Sequence, residues 1–263
     1  MSGRKKDRLL LYEIIDIIES AAPLRWQEEW DNSGLQVGNR DAEVKSVLLT
    51  TDITESVVDE AIIAGCQMII SHHPLLFHGF KQVCGQNPRA RCVEKAIRHN
   101  IAIYSAHTSM DKYLHGVSGR MAEKMGIANY EILCPEADGC GLGVVGELPN
   151  PIKPEEFLRQ LKEVFGAQWL RYTRPVGESI RKVAFCGGAG ADLAYAAIQQ
   201  GVDAFVSADF KYHEFQELSG QIMVVDMDHW VSEHFTREIF AEMLAGKVDI
   251  VMAKTDESPV GLI

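Results

Sequence analysis

The chain has 263 residues, 46% of them hydrophobic, enough for one large core or two modest ones, and no apolar run approaches the ~18 residues of a membrane span. A formal net charge of −11 excludes a broad nucleic-acid surface, because phosphate binding needs clustered Lys and Arg; an anionic substrate has to be met locally, for example by bound cations. Six cysteines without a C-x-x-C pair or zinc-finger spacing read as reduced thiols, not as a zinc site, and the basic start, Met1 to Lys6, leads into an apolar run broken by Glu13 and Asp16, so no signal peptide is expected and the expected address is cytoplasmic.

Leu10, Leu11, Ile14, Ile15, Ile18 and Ala22 recur at helical spacing up to Pro23, which predicts an amphipathic first helix. The stretch Trp30-Asp31-Asn32-Ser33-Gly34-Leu35-Gln36-Val37-Gly38 mixes turn formers with bulky apolar residues and reads as a structured loop capping the core, its residues pointing to no particular chemistry. Val44 to Thr50 predicts a strand ending at Thr51 and Asp52, followed by a helix over 54–64 with Thr54 as N-cap and Gly65 as stop. Met68 to Ser71 is a short apolar strand that ends in His72, His73 and Pro74, since proline has no N–H for the ladder. A helix around 91–99, a strand ending at Ser105 and a helix over 117–125 complete an alternation that predicts parallel strands.

Between Cys134 and Pro154, glycines and prolines interrupt that alternation, and a domain boundary belongs before or within this region. Pro154 opens a helix that stops at Gly166; Lys182 to Cys186 is a strand, Gly187-Gly188-Ala189-Gly190 a tight turn, and Ala191 to Gln200 a helix. Strands at 203–207 and 221–225, one long helix over 230–244 and a last strand at 248–253 follow.

Most of the nine histidines fall just after strand-like runs, where open α/β sheets collect ligands. An isolated histidine is ordinarily a hydrogen-bonded, partly buried side chain; the clustering raises the odds of a metal site. His72 and His73 point to opposite sides if the backbone stays extended, which suits two ions, one each. His229 and Glu233 are four apart and share a helix face, as do His107 and Asp111, although acidic residues at a helix N-terminus would also answer its dipole. His72, His73, Asp111, His229 and a bridging Glu233 would supply a nitrogen and oxygen shell for two divalent cations.

Ser71-His72-His73-Pro74-Leu75, His107-Thr108-Ser109-Met110-Asp111, the Trp30 to Gln36 stretch and His229 with Glu233 resemble the NGG-interacting-factor-three-like family, often labelled GTP cyclohydrolase I type two homologues. Gly188-Ala189-Gly190 and Lys211-Tyr212-His213 resemble its second-lobe motifs, so the resemblance runs nearly the whole chain. It implies a two-lobed α/β fold, with 1–128 plus 227–263 as a discontinuous first lobe, 129–226 as the second, and a dinuclear metal site in the cleft between them. It also implies His72, His73, Asp111, His229 and Glu233 as ligands, His107 in the active-site motif, two divalent ions (Zn, Mn, Fe, Co or Ni), and a homohexamer. The chain departs from the family pattern at Asp228, usually glycine, and at Ser207-Ala208-Asp209, commonly Thr-Gly-Glu or Thr-Gly-Asp. Two functions fit: a dinuclear-metal hydrolase with a GTP cyclohydrolase type activity on a purine nucleotide and His107 as its catalytic proton carrier, or a metal-binding adaptor acting through protein interaction.

Overall fold

Short β-branched runs and capped amphipathic segments alternate along the first hundred residues, and the computed structural model, which describes residues 8–79, 81–85, 87–261 and 263, folds them accordingly. β1 (Leu9–Leu10) leads into α1 (Leu11–Ala21), whose buried face is the predicted Leu11, Ile14, Ile15 and Ile18. β2 (Gly34–Val37), β3 (Glu43–Val44) and β4 (Ser46–Thr50) precede α2 (Glu55–Ala64). The Thr54 hydroxyl caps α2 by accepting the Val57 N–H at 3.3 Å, and Gly65 ends it in the left-handed conformation. β5 (Met68–Ser71), α3 (Pro88–Arg98) and β6 (Ala102–Ser105) repeat the unit, with Asn87 capping α3 and Pro88 in its first turn. Leu48, Ile69 and Ile103, one from each central strand, are wholly buried against Val57, Val58 and Ala96 of α2 and α3.

The next stretch begins with α4 (Thr108–Asp111) and α5 (Val117–Lys124). Where interrupted structure was expected, β7 (Tyr130–Pro135) and the 12-residue β8 (Gly141–Ile152) form an antiparallel pair. The glycines there serve close packing: a Cβ on Gly146 would stand 2.6 Å from the Ile127 side chain. α6 (Pro154–Phe165), β9 (Arg171–Tyr172) and β10 (Ile180–Ala189) follow, and β10 runs through the glycines expected to form a tight turn. α7 (Ala194–Gln199), β11 (Ala204–Ala208), α8 (Tyr212–Leu218), β12 (Met223–Met227) and α9 (His229–Glu233) complete a six-stranded sheet of order β7-β8-β10-β11-β12-β9. β10, β11 and β12 are parallel, and their core centres on Ala184, Phe205 and Val224.

The chain then returns through α10 (Thr236–Leu244) and β13 (Asp249–Met252), giving the first sheet its order β13-β4-β5-β6-β2, parallel except for β2. The single helix expected over 230–244 is therefore two. Phe235, 1% exposed, turns against Phe165 at a centroid distance of 6.0 Å, whereas α10 packs on α1 and β4. Contacts divide the chain into two compact units, Met1–Met110 with Thr236–Glu257, and Asp111–Phe235 with Ser258–Ile263. These bounds differ from the expected 128 and 227 because α5 packs on β8 and β10, and α9 on β10 and β11, which draws both helices to the second sheet. No helix among the described residues is long and apolar enough to cross a membrane.

Candidate metal centre

In the first unit, β5 stops at Ser71 and the next two residues bend out of the strand. The His72 N–H still reaches the Thr50 carbonyl at 3.2 Å and that of His73 the Thr51 carbonyl at 2.9 Å, while the Ser71 hydroxyl donates to the His73 carbonyl at 2.8 Å. The extended geometry expected to oppose the two imidazoles is thereby lost: their ring centroids lie 4.9 Å apart, inclined at 45°. One ring nitrogen from each of His72, His73 and His107 lies within 4.8 Å of the others. His72 Nδ1 is 3.0 Å from the Ala106 carbonyl, which can only accept, so Nδ1 carries the proton and Nε2 is the nitrogen suited to ligation. His73 Nδ1 is held in the same manner by Asp52 at 2.9 Å, and His107 Nδ1 by Asp31 at 2.9 Å.

Asp31 is itself fixed. Burial favours its neutral form, but hydrogen bonds from His107, Thr108 and Ser33 outweigh this and hold the carboxyl well below the usual carboxylate range. The loop that carries it, read from sequence as a cap, thus orients His107.

In the second unit, Asp228 caps α9 by accepting the Val231 N–H at 3.2 Å, so the departure from glycine there is a helix cap. The first turn places His229 Nε2 3.0 Å from Glu233 Oε2 across the expected i, i+4 spacing, and Asp209 Oδ2 holds His229 Nδ1 at 2.7 Å. Burial lowers the affinity of the His229 imidazole for a proton, but the Glu233 and Asp209 carboxylates prevail and push its pKa up to about 11. A carboxylate oxygen of Asp111 and one of Glu233 lie within 4.8 Å of each other. Gly188 forms the wall: its N–H donates to the Ser232 hydroxyl at 2.9 Å, its φ is +64°, and a Cβ would run into the Glu233 carboxylate.

A family model described as Duf34/NIF3 (NGG1p interacting factor 3) matches residues 9–259. The chain belongs to this family. Curated relatives called GTP cyclohydrolase 1 type 2 homolog include one from Clostridium acetobutylicum, 32% identical over 90% of each chain, and one from Clostridium perfringens, 31% identical over 96% of this chain and 99% of that one. The structure is similar to the crystal structure of a Staphylococcus aureus hypothetical protein, with a TM-score of 0.90 and 25% identity over 98% of this chain and 100% of that chain.

A divalent cation needs deprotonated ligands in fixed orientation; the donor atoms here are of the right kind and are held in place, and a cation beside Glu233 would have to displace the proton from His229 Nε2. Imidazole and carboxylate suit Zn, Mn, Fe, Co or Ni, and four histidines, His72, His73, His107 and His229, have Nδ1 engaged by a carbonyl or carboxylate, the arrangement that orients a ligating ring. Glu233, 2% exposed, is a buried anion of the kind that a cation offsets. Sequence reasoning named these histidines and carboxylates but missed the orienting residues Asp31, Asp52 and Asp209. The available signal was an acidic residue just after a strand, at Asp52 and Asp209, beside strands that end in histidine.

Gly188→Ala is expected to lower metal content while leaving the fold intact. The left-handed backbone costs alanine roughly 1–2 kcal/mol, and the new methyl displaces Glu233 from its position. Metal analysis alongside thermal unfolding checks this; full metal content with unchanged stability would contradict it.

Proposed function

We propose that this NIF3 protein is a dinuclear-metal-dependent hydrolase that acts on a purine nucleotide, as the name of its curated relatives implies, with His72, His73, Asp111, His229 and Glu233 as ligands. The observation that carries the reading is the fixing of His72, His73 and His229 through Nδ1 by Ala106, Asp52 and Asp209, which prepares three imidazoles for ligation at Nε2. Two divalent ions, when bound, supply the positive charge that polarises a substrate oxygen and lowers the pKa of water toward neutrality.

The chain's own contribution is proton management. His107 is oriented by Asp31, so that Nε2 is the atom that accepts a proton from the attacking water and returns it to the leaving atom. Asp52 and Asp209 hold their histidines and take no part in the transfer.

Elemental analysis of protein purified without chelators, paired with a nucleotide hydrolysis screen under each candidate metal, tests the proposal. Two ions per chain and metal-dependent turnover are expected. A protein that stays metal-free after remetallation overturns the centre, and a metal-loaded protein that hydrolyses nothing replaces the enzyme reading with a metal-binding adaptor. The family resemblance further leads us to expect an oligomer larger than a dimer. Light scattering at micromolar concentration checks it, and a mass near the 29.3 kDa of one chain would contradict it.

A further inference from the structure

The second sheet carries a fixed cation that the ligand set does not use. Antiparallel pairing of β9 with β12 sets Arg171 opposite Asp226, whose side chain is fully buried. Arg171 Nε donates to Asp226 Oδ2 at 2.6 Å; Nη2 also meets that oxygen and donates to the Phe210 carbonyl at 3.0 Å. The guanidinium carbon lies 5.7 Å from the centroid of the Trp169 ring and 5.3 Å from that of Phe215. Of the five guanidinium N–H donors, the two on Nη1 have no protein acceptor among the described residues, and 53% of the side chain is exposed.

Service as counterion to Asp226 explains the Nε and Nη2 edge alone. The Nη1 edge is held as firmly, because the same contacts and the aromatic rings fix the guanidinium plane, so little side-chain freedom is left to lose on binding. Its placement links it to the centre: Phe210, which accepts from Nη2, follows Asp209, which holds His229. Lys211, exposed, adds a second cation to the same loop. In a chain of net charge −11, an anionic substrate needs such a local cation.

We propose that Arg171 is the anion receptor of this centre, its Nη1 edge taking a phosphoryl oxygen of a phosphorylated substrate whose reacting group is handled on the His229 side. The assignment rests on the hydrolase reading for the identity of the substrate, but not for the binding it describes. Arg171 binds and orients; it does not transfer a proton.

Titration calorimetry on the full-length, metal-loaded protein tests it, with GTP and guanosine as probes. Arg171→Gln combined with Asp226→Asn removes the cation without stranding a buried carboxylate, and a matched unfolding midpoint shows that β9 stays on β12. GTP binding is expected to weaken about 10–100-fold, the usual scale for hydrogen bonds to charged groups, while guanosine binding is unchanged. Arg171→Lys keeps the charge but loses the fork, so it should fall between the two; if the double variant does not fold, a selective loss of GTP affinity in Arg171→Lys supports the proposal and unchanged affinity overturns it. Equal losses for GTP and guanosine, or none, overturn it as well. Should wild type not bind GTP, inorganic phosphate takes its place, and absence of any Arg171-dependent binding sinks the receptor. Arg171-dependent binding in a wild type that hydrolyses nothing removes the hydrolase reading and leaves the receptor standing.

Discussion

Glu233→Ala is expected to strip both ions from the protein, whereas His72→Ala weakens mainly one. Glu233 is 2% exposed, lies within hydrogen-bonding distance of His229 Nε2, and is walled by Gly188, so its loss removes a buried ligand from the point where the proposed ions meet. The fall in affinity should exceed the roughly 10–100-fold that changes to a ligand's orienting partner cost. Asp209→Asn supplies that comparison in the same unit, because it keeps the contact to His229 Nδ1 but not its charge. Metal content measured across a chelator series on Glu233→Ala, His72→Ala and Asp209→Asn checks the order. Retention of one full ion by Glu233→Ala would make Glu233 a ligand to a single ion; equal effects of Glu233→Ala and Asp209→Asn would remove it from the ligand set. A matched unfolding transition for Glu233→Ala separates loss of metal from loss of fold, since truncating one member of a buried ion pair also destabilises.

The elements that position the centre could be read from the sequence where local signals and tertiary packing agree. Thr54, Gly65, Pro154 and Gly166 delimit their helices as expected because capping is local chemistry. Expectation and structure part where packing decides. Phe235 breaks the long helix because its side chain is buried beside Phe165, and β10 extends through Gly187 and Gly188 because those positions face Val117 and Glu233, which leave no room for a Cβ. The same holds at the candidate site. His72, His73, His107, His229 and Glu233 stand out by residue type and spacing, but the adjacency of the His72 and His73 rings depends on a bend after Ser71 that alternation rules do not contain. Asp31 escapes sequence reasoning altogether: it sits 76 positions from the histidine it orients, in a loop that reads as a cap.

His107→Ala should keep its ions and lose most of its turnover. His107 shares the histidine cluster of the first unit and has Nδ1 held by a carboxylate as His73 and His229 do; the proton-carrier role follows from the proposed ligand set, in which Asp111 already supplies a carboxylate from the same short segment. Asp31 is fully buried at its side chain, remains ionised, and receives hydrogen bonds from Ser33 and Thr108 as well as His107. Such a carboxylate fixes the orientation and tautomer of the ring, so that a single nitrogen, Nε2, is presented for accepting and returning a proton. Loss of that proton transfer typically costs roughly 10²–10⁴-fold in rate. Asp31→Asn, which keeps the shape but removes the charge, should lower the rate in the same direction while retaining metal. Metal content and turnover have to be measured on one preparation, with whichever nucleotide the wild type hydrolyses. Full metal with a wild-type rate eliminates His107 as acid or base. Loss of metal before loss of rate makes His107 a ligand, and the Asp31 contact then becomes the orienting bond of a fourth ligating imidazole.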